Sequence, residues 1–188
     1  MTKRVLITGT PDHVEALAKV FSAADIEHVT LAQIGPGASE IDYYVQLGVT
    51  VPARGDTVVR RVHSFLNDGL LDRFTIVERV LPMLADNAVV LLVAGNLPAE
   101  VAAPDDRAAR LSLLTVLAHA IRADLAPKRV RVRVISSDRS DEDIAAFALS
   151  GAKDPEAALP LAASEGPDSD RTYEDWRIQV LGLAHIEL

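Results

Sequence analysis

Residues 3–21, KRVLITGTPDHVEALAKVF, decide the fold of this chain. Val5, Leu6 and Ile7 form a short apolar run that is followed at once by Thr8-Gly9. The apolar residues after this turn recur at helical spacing, at positions 14, 17, 18 and 21. A buried strand that enters an amphipathic helix through a tight turn opens most doubly wound nucleotide-binding domains. The stretch therefore predicts an α/β domain of that general type.

The turn in this stretch is a poor dinucleotide site. A pyrophosphate would lie against the free backbone N–H groups at the start of the helix, and several glycines would let the backbone approach it closely. Gly9 is present, but His13 and Glu15 stand where the later glycines are expected. Thr8, Gly9, Thr10 and His13 are therefore candidate cofactor-binding residues of a weak or non-functional site. The sequence predicts no cofactor, with weak NAD(P) binding as the alternative.

Composition excludes several classes of partner. The chain has 188 residues, a formal net charge of −8 and no cysteine. Nucleic acids and anionic membranes need a basic face, so neither is expected as a partner. Disulfides and cysteine-ligated zinc are excluded outright. No apolar run reaches about 18 residues and no secretory leader is visible, so the expected location is the cytoplasm.

Strand and helix patterns alternate along the rest of the chain. Further strands are predicted at 27–32, 41–47, 88–94 and 130–135, and further helices at 56–84 (in two pieces), 105–126 and 141–149. Residues 86 and 87 are predicted to turn the chain before the strand at 88. This alternation predicts a Rossmann-like three-layer α/β/α sandwich with a mostly parallel sheet of about five strands. The expected organisation is one domain over 1–150, a flexible loop over 151–171 and a terminal helix over 172–188 that packs on the same domain.

Three later stretches and the first turn carry a family resemblance. Residues 74–84, FTIVERVLPML, resemble a helix that ends in a Leu-Pro-Leu-Met type sequence, and residues 89–95 resemble a strand that carries a catalytic serine. Residues 125–134, LAPKRVRVRV, resemble the signature Leu-Ala-Pro-x-Gly-Ile-Arg-Val-Asn-x-Val, and Thr8-Gly9 resembles the start of Thr-Gly-x-x-x-Gly-x-Gly. These are motifs of the short-chain dehydrogenase/reductase family. Over residues 3–150 the chain resembles a truncated, catalytically degenerate member.

The resemblance implies four catalytic positions, and all four are vacant. The family uses a tyrosine, a lysine one helical turn later, a serine and an asparagine. Alignment to the motifs puts these roles at Arg107, Leu111, Ala94 and Gly69, with Asn67 two places from the last. Leu111 has no titratable group and an arginine does not deprotonate in a protein, so acid–base work at these two positions is excluded. A new role for Arg107 as an anion contact remains the alternative to an ordinary surface arginine.

The cofactor side of the resembled site is equally depleted. No acidic residue ends the second predicted strand at Ala32, where one would bind the adenosine ribose. Residues 32–41 are too short for the helix, strand and helix that normally wall the adenosine pocket. The resemblance therefore implies that the adenine half-site has been lost.

Other polar clusters have simpler interpretations. The five histidines do not make a metal-type spacing, so no metal site is predicted. Ser140, with acidic residues at the next three positions, is predicted to cap a helix rather than to act as a nucleophile. Tyr43 and Tyr44, near the carboxyl end of their strand, are predicted to pack in the core, and a ligand contact is the alternative.

The favoured function is that of a non-catalytic protein of this type, a pseudoenzyme with a binding, assembly or regulatory role. An atypical NAD(P)-dependent oxidoreductase and a small-ligand-binding regulatory domain are the alternatives, and the protein or small-molecule partner is not identified by the sequence. Helix 105–126 has one apolar stripe for the sheet and a second at Leu113, Val116, Leu117 and Ala120. Because exposed apolar patches mark interfaces, and because the resembled family pairs equivalent helices, a homodimer or tetramer through this helix is predicted. Cover by the terminal helix around Trp176 is the alternative.

Overall fold

The protein is described here by a computed structural model, which defines residues 2–34, 40–48, 54–94, 104–135 and 140–150. The strands are β1 Arg4–Thr8, β2 Glu27–Val29, β3 Ile41–Gln46, β4 Leu84–Val93 and β5 Arg131–Ile135. The helices are α1 Pro11–Ala23, α2 Val58–Leu66, α3 Asp72–Val80, α4 Pro104–Asp124 and α5 Asp141–Ser150. A π-helical segment, Asn67–Leu71, joins α2 to α3.

The five strands form one parallel sheet in the order β2-β1-β3-β4-β5. From β1 the chain first adds β2 on one side and then crosses to add β3 on the other. The strand order therefore reverses between β1 and β3, and ligands of open α/β sheets bind outside the carboxyl ends of the strands at such a point. The predicted Rossmann-like architecture with five strands is confirmed.

Helices cover both faces of the sheet and bury two hydrophobic clusters. On one face, α1 and α5 pack through Leu17, Phe21 and Ile144 onto alternate residues of the strands. On the other face, α3 and α4 pack through residues that include Val77 and Ile121. β4 is buried between the two layers, and its last six residues, 88–93, are at most 6% exposed. Such burial on both faces explains why this strand reads as a continuous apolar run.

The second strand is shorter than the sequence predicted. β2 ends at Val29, and a 3₁₀ turn follows over Leu31–Gln33. The Thr30 N–H donates to Gln33 Oε1 at 2.8 Å, and the Gln33 N–H donates back to the Thr30 carbonyl at 3.0 Å. This reciprocal capping satisfies the backbone locally, so the chain leaves the edge of the sheet instead of extending to position 32.

The fourth strand begins earlier than predicted, and the chain does not turn at positions 86 and 87. Leu84 belongs to β4, pairs with Ile41 and is completely buried, so it does not end the preceding helix. Asn87 adopts a left-handed conformation with φ 60°, at an irregularity where the register between β3 and β4 shifts. Lys128 Nζ donates to the Leu84 carbonyl at 2.7 Å. Long-range pairing and this contact hold the early part of the strand in place.

The helix that follows the last strand begins as predicted. Ser140 Oγ accepts a hydrogen bond from the Asp143 N–H at 3.1 Å, so Ser140 is a helix cap. Within the part of the chain that the structure describes, no helix is long and apolar enough to cross a membrane. The predicted loop over 151–171 and the predicted helix over 172–188 lie outside the described residues.

Candidate functional site

The carboxyl-terminal edge of the sheet holds two of the residues that the sequence assigned to a site, Thr8 at the end of β1 and Ala94 directly after β4. Thr8 pairs with Gln46 across β1 and β3, and Gln46 pairs with Leu92 across β3 and β4. Ala94 follows β4 at the same edge, next to the end of β5, where its N–H donates to the Ile135 carbonyl at 3.0 Å. This edge includes the point at which the strand order reverses, and it is where a ligand is expected.

Gly9 is required by packing against the neighbouring strand. Its φ is +154°, and a Cβ built on it would lie 2.6 Å from the Cβ of Leu47. The Leu47 N–H donates to the Thr8 carbonyl at 2.8 Å, so the two chain segments are held at this close distance. The glycine that resembles the start of a phosphate-binding turn therefore has a structural reason to be present without any phosphate.

The start of α1 is poorly suited to a pyrophosphate. Pro11 occupies the first turn and has no N–H to offer, and Asp12 adds a negative charge in the same turn. Thr10 precedes the helix in an extended conformation and makes no side-chain cap. His13 is exposed on the first turn. The candidate cofactor residues thus lie at the end of β1 and the start of α1, where Pro11 contributes no N–H donor.

Tyr44 places a buried hydroxyl group next to Thr8 at the carboxyl-terminal edge of the sheet. Its side chain is completely buried, and its Oη lies 3.1 Å from Thr8 Oγ1. Burial raises the pKa of Tyr44 to about 12, although the Thr8 hydrogen bond and the charge of Arg73 act in the opposite direction. Catalysis by a general acid or base is most effective when the pKa lies near the working pH. Tyr44 therefore stays neutral and serves as a structural hydrogen-bonding group.

Gln46, at the end of β3, is joined to α3 by a hydrogen bond. The residue is 3% exposed, and its Nε2 donates to the backbone carbonyl of Arg73 at 3.1 Å. This bond assigns the amide orientation, because a carbonyl can only accept. The Gln46 Oε1 is buried and has no donor among the residues that the structure describes. Arg73 is half-buried in the first turn of α3, and burial lowers the pKa of its guanidinium.

The four positions that the resemblance implies for catalysis lie in different elements of the fold. Ala94 is 2% exposed and presents a methyl group where the resembled family has a serine. Gly69 lies in the π-helical segment between α2 and α3. Arg107 and Leu111 lie one turn apart in α4, with side chains outside the described set. Asn67, the near-miss for the asparagine, has its Nδ2 3.2 Å from ring nitrogens of His63 on the preceding turn.

No group of three or more potential metal ligands occurs in the described ranges. An open groove lies at the opposite, amino-terminal edge of the sheet, where its lining includes Lys3 and Tyr43. Lys3 Nζ donates to the Tyr43 hydroxyl at 3.1 Å, and Tyr43 is 7% exposed. Both tyrosines therefore pack in the core, as the sequence predicted.

Sequence reasoning missed the roles of Tyr44, Gln46 and Arg73 at this edge. Gln46 carried a signal, because an amide inside the apolar run of a central strand must find a partner. Arg73 carried none, since a basic residue near the start of an amphipathic helix is ordinary. Its position over the sheet edge follows only from the packing of α3.

Comparison with known proteins confirms the fold and goes no further. No family model matches the sequence, and no curated protein matches it. A double variant of a Serratia marcescens short-chain dehydrogenase/reductase is similar in structure, with a TM-score of 0.60, 14% identity and coverage of 89% of this chain and 94% of that chain. A second variant gives 0.59 at 14% identity over 89% and 94% of the two chains.

A further Serratia marcescens structure of that family has a TM-score of 0.53 and 13% identity, and covers 84% of this chain and 93% of its own. Identities this low establish a common fold alone. The expected short-chain dehydrogenase/reductase fold is confirmed, and its chemistry does not transfer with it.

Proposed function

We propose that this protein is a non-catalytic member of the short-chain dehydrogenase/reductase fold, kept for binding, assembly or regulation. The observation that carries the proposal is the state of Tyr44, the tyrosine described at the switch-point edge. It is buried, bonded to Thr8 and has its pKa raised to about 12. Tyr44 lies in β3, whereas the resembled tyrosine position is Arg107 in α4, so Tyr44 could act only as a substitute acid. The resembled chemistry needs a tyrosine whose pKa is lowered by a nearby lysine, and burial of Tyr44 has the opposite effect.

The vacant positions support the same proposal. The methyl group of Ala94 cannot orient a carbonyl, and the aliphatic Leu111 cannot assist a tyrosine. Asn67 lies within hydrogen-bond distance of His63 on its own helix, which makes it a poor substitute for the relay asparagine. An enzyme would need an acid, a base and an orienting group from other residues.

The direct test is turnover by the purified full-length protein. NADH and NADPH oxidation should not exceed background with a panel of generic ketones and aldehydes. The matched variants are Arg107→Gln and Asn67→Ala, which remove the two polar residues closest to the resembled positions. Robust turnover, whether or not it survives these changes, would contradict the proposal and favour the atypical NAD(P)-dependent oxidoreductase.

Dinucleotide binding is proposed to be weak or absent. Pro11 and Asp12 reduce the donors and the positive potential at the start of α1. β2 is an edge strand that ends at Val29, and no acidic residue follows it before position 40. Calorimetric titration with NADH and NADPH should give Kd values weaker than roughly 100 μM, about 5.5 kcal/mol of binding free energy. A low-micromolar Kd for either cofactor would refute this part.

Assembly through α4 is the remaining part of the proposal. Leu114, Ala118 and Ile121 are buried against the sheet, and Leu117 packs against the same cluster. The second stripe therefore consists of Leu113, Val116 and Ala120, which are half-buried within one chain. A second copy that covers this stripe would form a symmetric dimer, with a tetramer as its extension.

A further inference from the structure

An open groove at the amino-terminal edge of the sheet lies at the opposite end of the strands from Thr8 and Ala94. It has a volume of about 990 Å³, and residues just before β1, at the end of α1 and at the end of α5 line it. Small-molecule sites typically have volumes of about 300–1,000 Å³. Its lining includes Leu149, a large apolar side chain that is 39% exposed. The groove is therefore large enough for a small ligand and offers it an apolar surface.

Lys3 lines the groove and is held in place by Tyr43. The Lys3 Nζ donates to the Tyr43 hydroxyl at 3.1 Å and lies 5.5 Å from the centre of the same ring. Neither contact brings a compensating negative charge, and no ion pair of Lys3 occurs among the residues that the structure describes. An ammonium group has three N–H donors, and one of them is used here. The other two remain for a ligand in the groove.

Asp25 supplies a carboxylate to the groove from a position that disfavours one. It follows α1 with φ 59°, and its N–H donates to the Ser22 carbonyl at 3.1 Å. The next N–H, of Ile26, donates to the Phe21 carbonyl at 3.1 Å. These two bonds form a Schellman ending, in which the left-handed residue is usually glycine and sometimes asparagine. A carboxylate at this place also meets the negative end of the helix dipole, so local structure does not explain an aspartate.

The groove thus presents one positive and one negative charge that do not pair with each other. The other carboxylate in the lining, Glu27, is already paired with Arg4 Nε at 3.3 Å. Asp25 has no ion pair in the described part of the chain, so its charge and that of Lys3 are left. A ligand with a single charge would meet a repulsive group as well as an attractive one. A ligand that carries both an ammonium group and a carboxylate would complement both residues.

We propose that this groove binds a small zwitterion, a free α-amino acid or a dipeptide with an apolar side chain. The ligand carboxylate pairs with Lys3, its ammonium group pairs with Asp25, and its side chain packs on Leu149. Asp25 is then a binding group that is kept at a cost to the stability of the helix end. The inference goes beyond the proposed function and does not depend on it, because the groove lies away from the positions that the resemblance implies for catalysis.

The test is ligand binding by the full-length protein at constant pH and ionic strength. Calorimetric titration and thermal unfolding are measured with leucine and leucyl-leucine, which carry both charges. The singly charged analogues are 4-methylpentanoate, which lacks the ammonium group, and 3-methylbutylamine, which lacks the carboxylate. At least one zwitterion should titrate saturably and raise Tm, and each analogue should bind about fivefold more weakly or worse. The two zwitterions distinguish an amino acid from a dipeptide.

Variants at the two ends of α1 assign the binding to the groove. Asp25→Asn removes the charge and suits the left-handed conformation, so it should raise the Tm of the ligand-free protein. It should also weaken zwitterion binding by about fivefold or more and abolish the preference for leucine over 4-methylpentanoate. The matched control is Asp12→Asn, which removes an exposed carboxylate from the first turn of α1 and should leave the affinity within about twofold.

Two further variants test the other contacts. Lys3→Gln should weaken zwitterion binding by about fivefold or more and abolish the preference for leucine over 3-methylbutylamine. Leu149→Ser should lower the affinity for leucine more than the affinity for glycine, because only leucine has a side chain to pack on this residue. If Lys3→Gln does not fold, Asp25→Asn with its Asp12→Asn control decides.

Three results would overturn the inference. They are the absence of saturable binding of either zwitterion, equal affinities for a zwitterion and its singly charged analogues, and equal losses of affinity in Asp25→Asn and Asp12→Asn. The proposed function fails by a different result, since turnover of NADH or NADPH would contradict it without any effect on zwitterion binding at this groove.

Discussion

Replacing Gly9 by alanine should destabilise the fold without any ligand being involved. The new Cβ would lie 2.6 Å from Leu47 Cβ, which is too close for two non-bonded carbon atoms. Both atoms are attached directly to the backbone, so the backbone at one of the two residues would have to move. The backbone cannot easily give way, because the Thr8 carbonyl and the Leu47 N–H form a 2.8 Å hydrogen bond across the two segments. The φ of +154° is also unfavourable for an L-residue.

The expected magnitude combines two effects. Overpacking a close-packed site costs about 1–3 kcal/mol, and a non-glycine residue in a sparsely populated backbone region costs about 1–3 kcal/mol. Gly9→Ala should therefore lose about 2–6 kcal/mol of an unfolding free energy that is about 5–15 kcal/mol for a typical domain. At about 2–4 °C per kcal/mol for a chain of this size, Tm should fall by at least about 4 °C.

Urea denaturation followed by far-UV circular dichroism measures this loss. Gly55→Ala is the matched control, because Gly55 is exposed and also has a positive φ of 137°. It should show the backbone cost alone. Leu47→Ala should not rescue Gly9→Ala, since the atom that the new Cβ meets is the Cβ that alanine retains.

Three results would contradict this reasoning. A Gly9→Ala protein within about 0.5 kcal/mol of the original would mean that the packing is looser than 2.6 Å implies. Full recovery of stability in the Gly9→Ala/Leu47→Ala double variant would mean that the new Cβ clashes with Leu47 atoms beyond its Cβ. A loss no larger than that of Gly55→Ala would leave backbone strain as the whole cost.

Burial lowers the pKa of His28, so the unfolded chain takes up the proton more readily and this contribution to stability falls as pH drops below the ordinary value of about 6.5. Between about pH 7.5 and about pH 5.5, His28→Gln should therefore lose less unfolding free energy than the original protein. Equal losses for His28→Gln and the original protein in urea denaturation at these two pH values would contradict this. Ser140→Ala removes the 3.1 Å cap of α5 and should cost about 1 kcal/mol of unfolding free energy, and an unchanged urea midpoint would show that the cap contributes nothing. Light scattering should give a dimer that Leu113→Glu or Val116→Glu dissociates without unfolding the monomer; a mass of 20.2 kDa across the micromolar range, or unfolding of the variants, would place the stripe in the core of a monomer.

The features that could be predicted from the sequence are those set by local periodicity and local chemistry. The apolar run of β1, the helical spacing of α1 and the continuous apolar residues of β4 each report burial directly, because solvent exclusion acts on every residue of the element. The cap at Ser140 was equally accessible, since donor and acceptor lie three residues apart. The order of these elements was enough to predict a Rossmann-like fold.

Element ends were predicted less well because long-range contacts decide them. Asn87 reads as a turn residue, but pairing of Leu84 with Ile41 keeps the chain in β4 through it. β2, in contrast, ends earlier than predicted, because the local capping between Thr30 and Gln33 takes these residues out of the strand.

The character of the site belongs to the tertiary structure. The sequence by itself predicted that Arg107, Leu111 and Ala94 stand at the positions of the resembled tyrosine, lysine and serine, because residue identity can be read without the fold. Only the folded chain decided that Gly9 is needed by Leu47 and that α3 brings Arg73 over the same edge. These contacts join segments far apart in sequence, so no local pattern records them, and their energies arise only when the sheet and its helices are packed together.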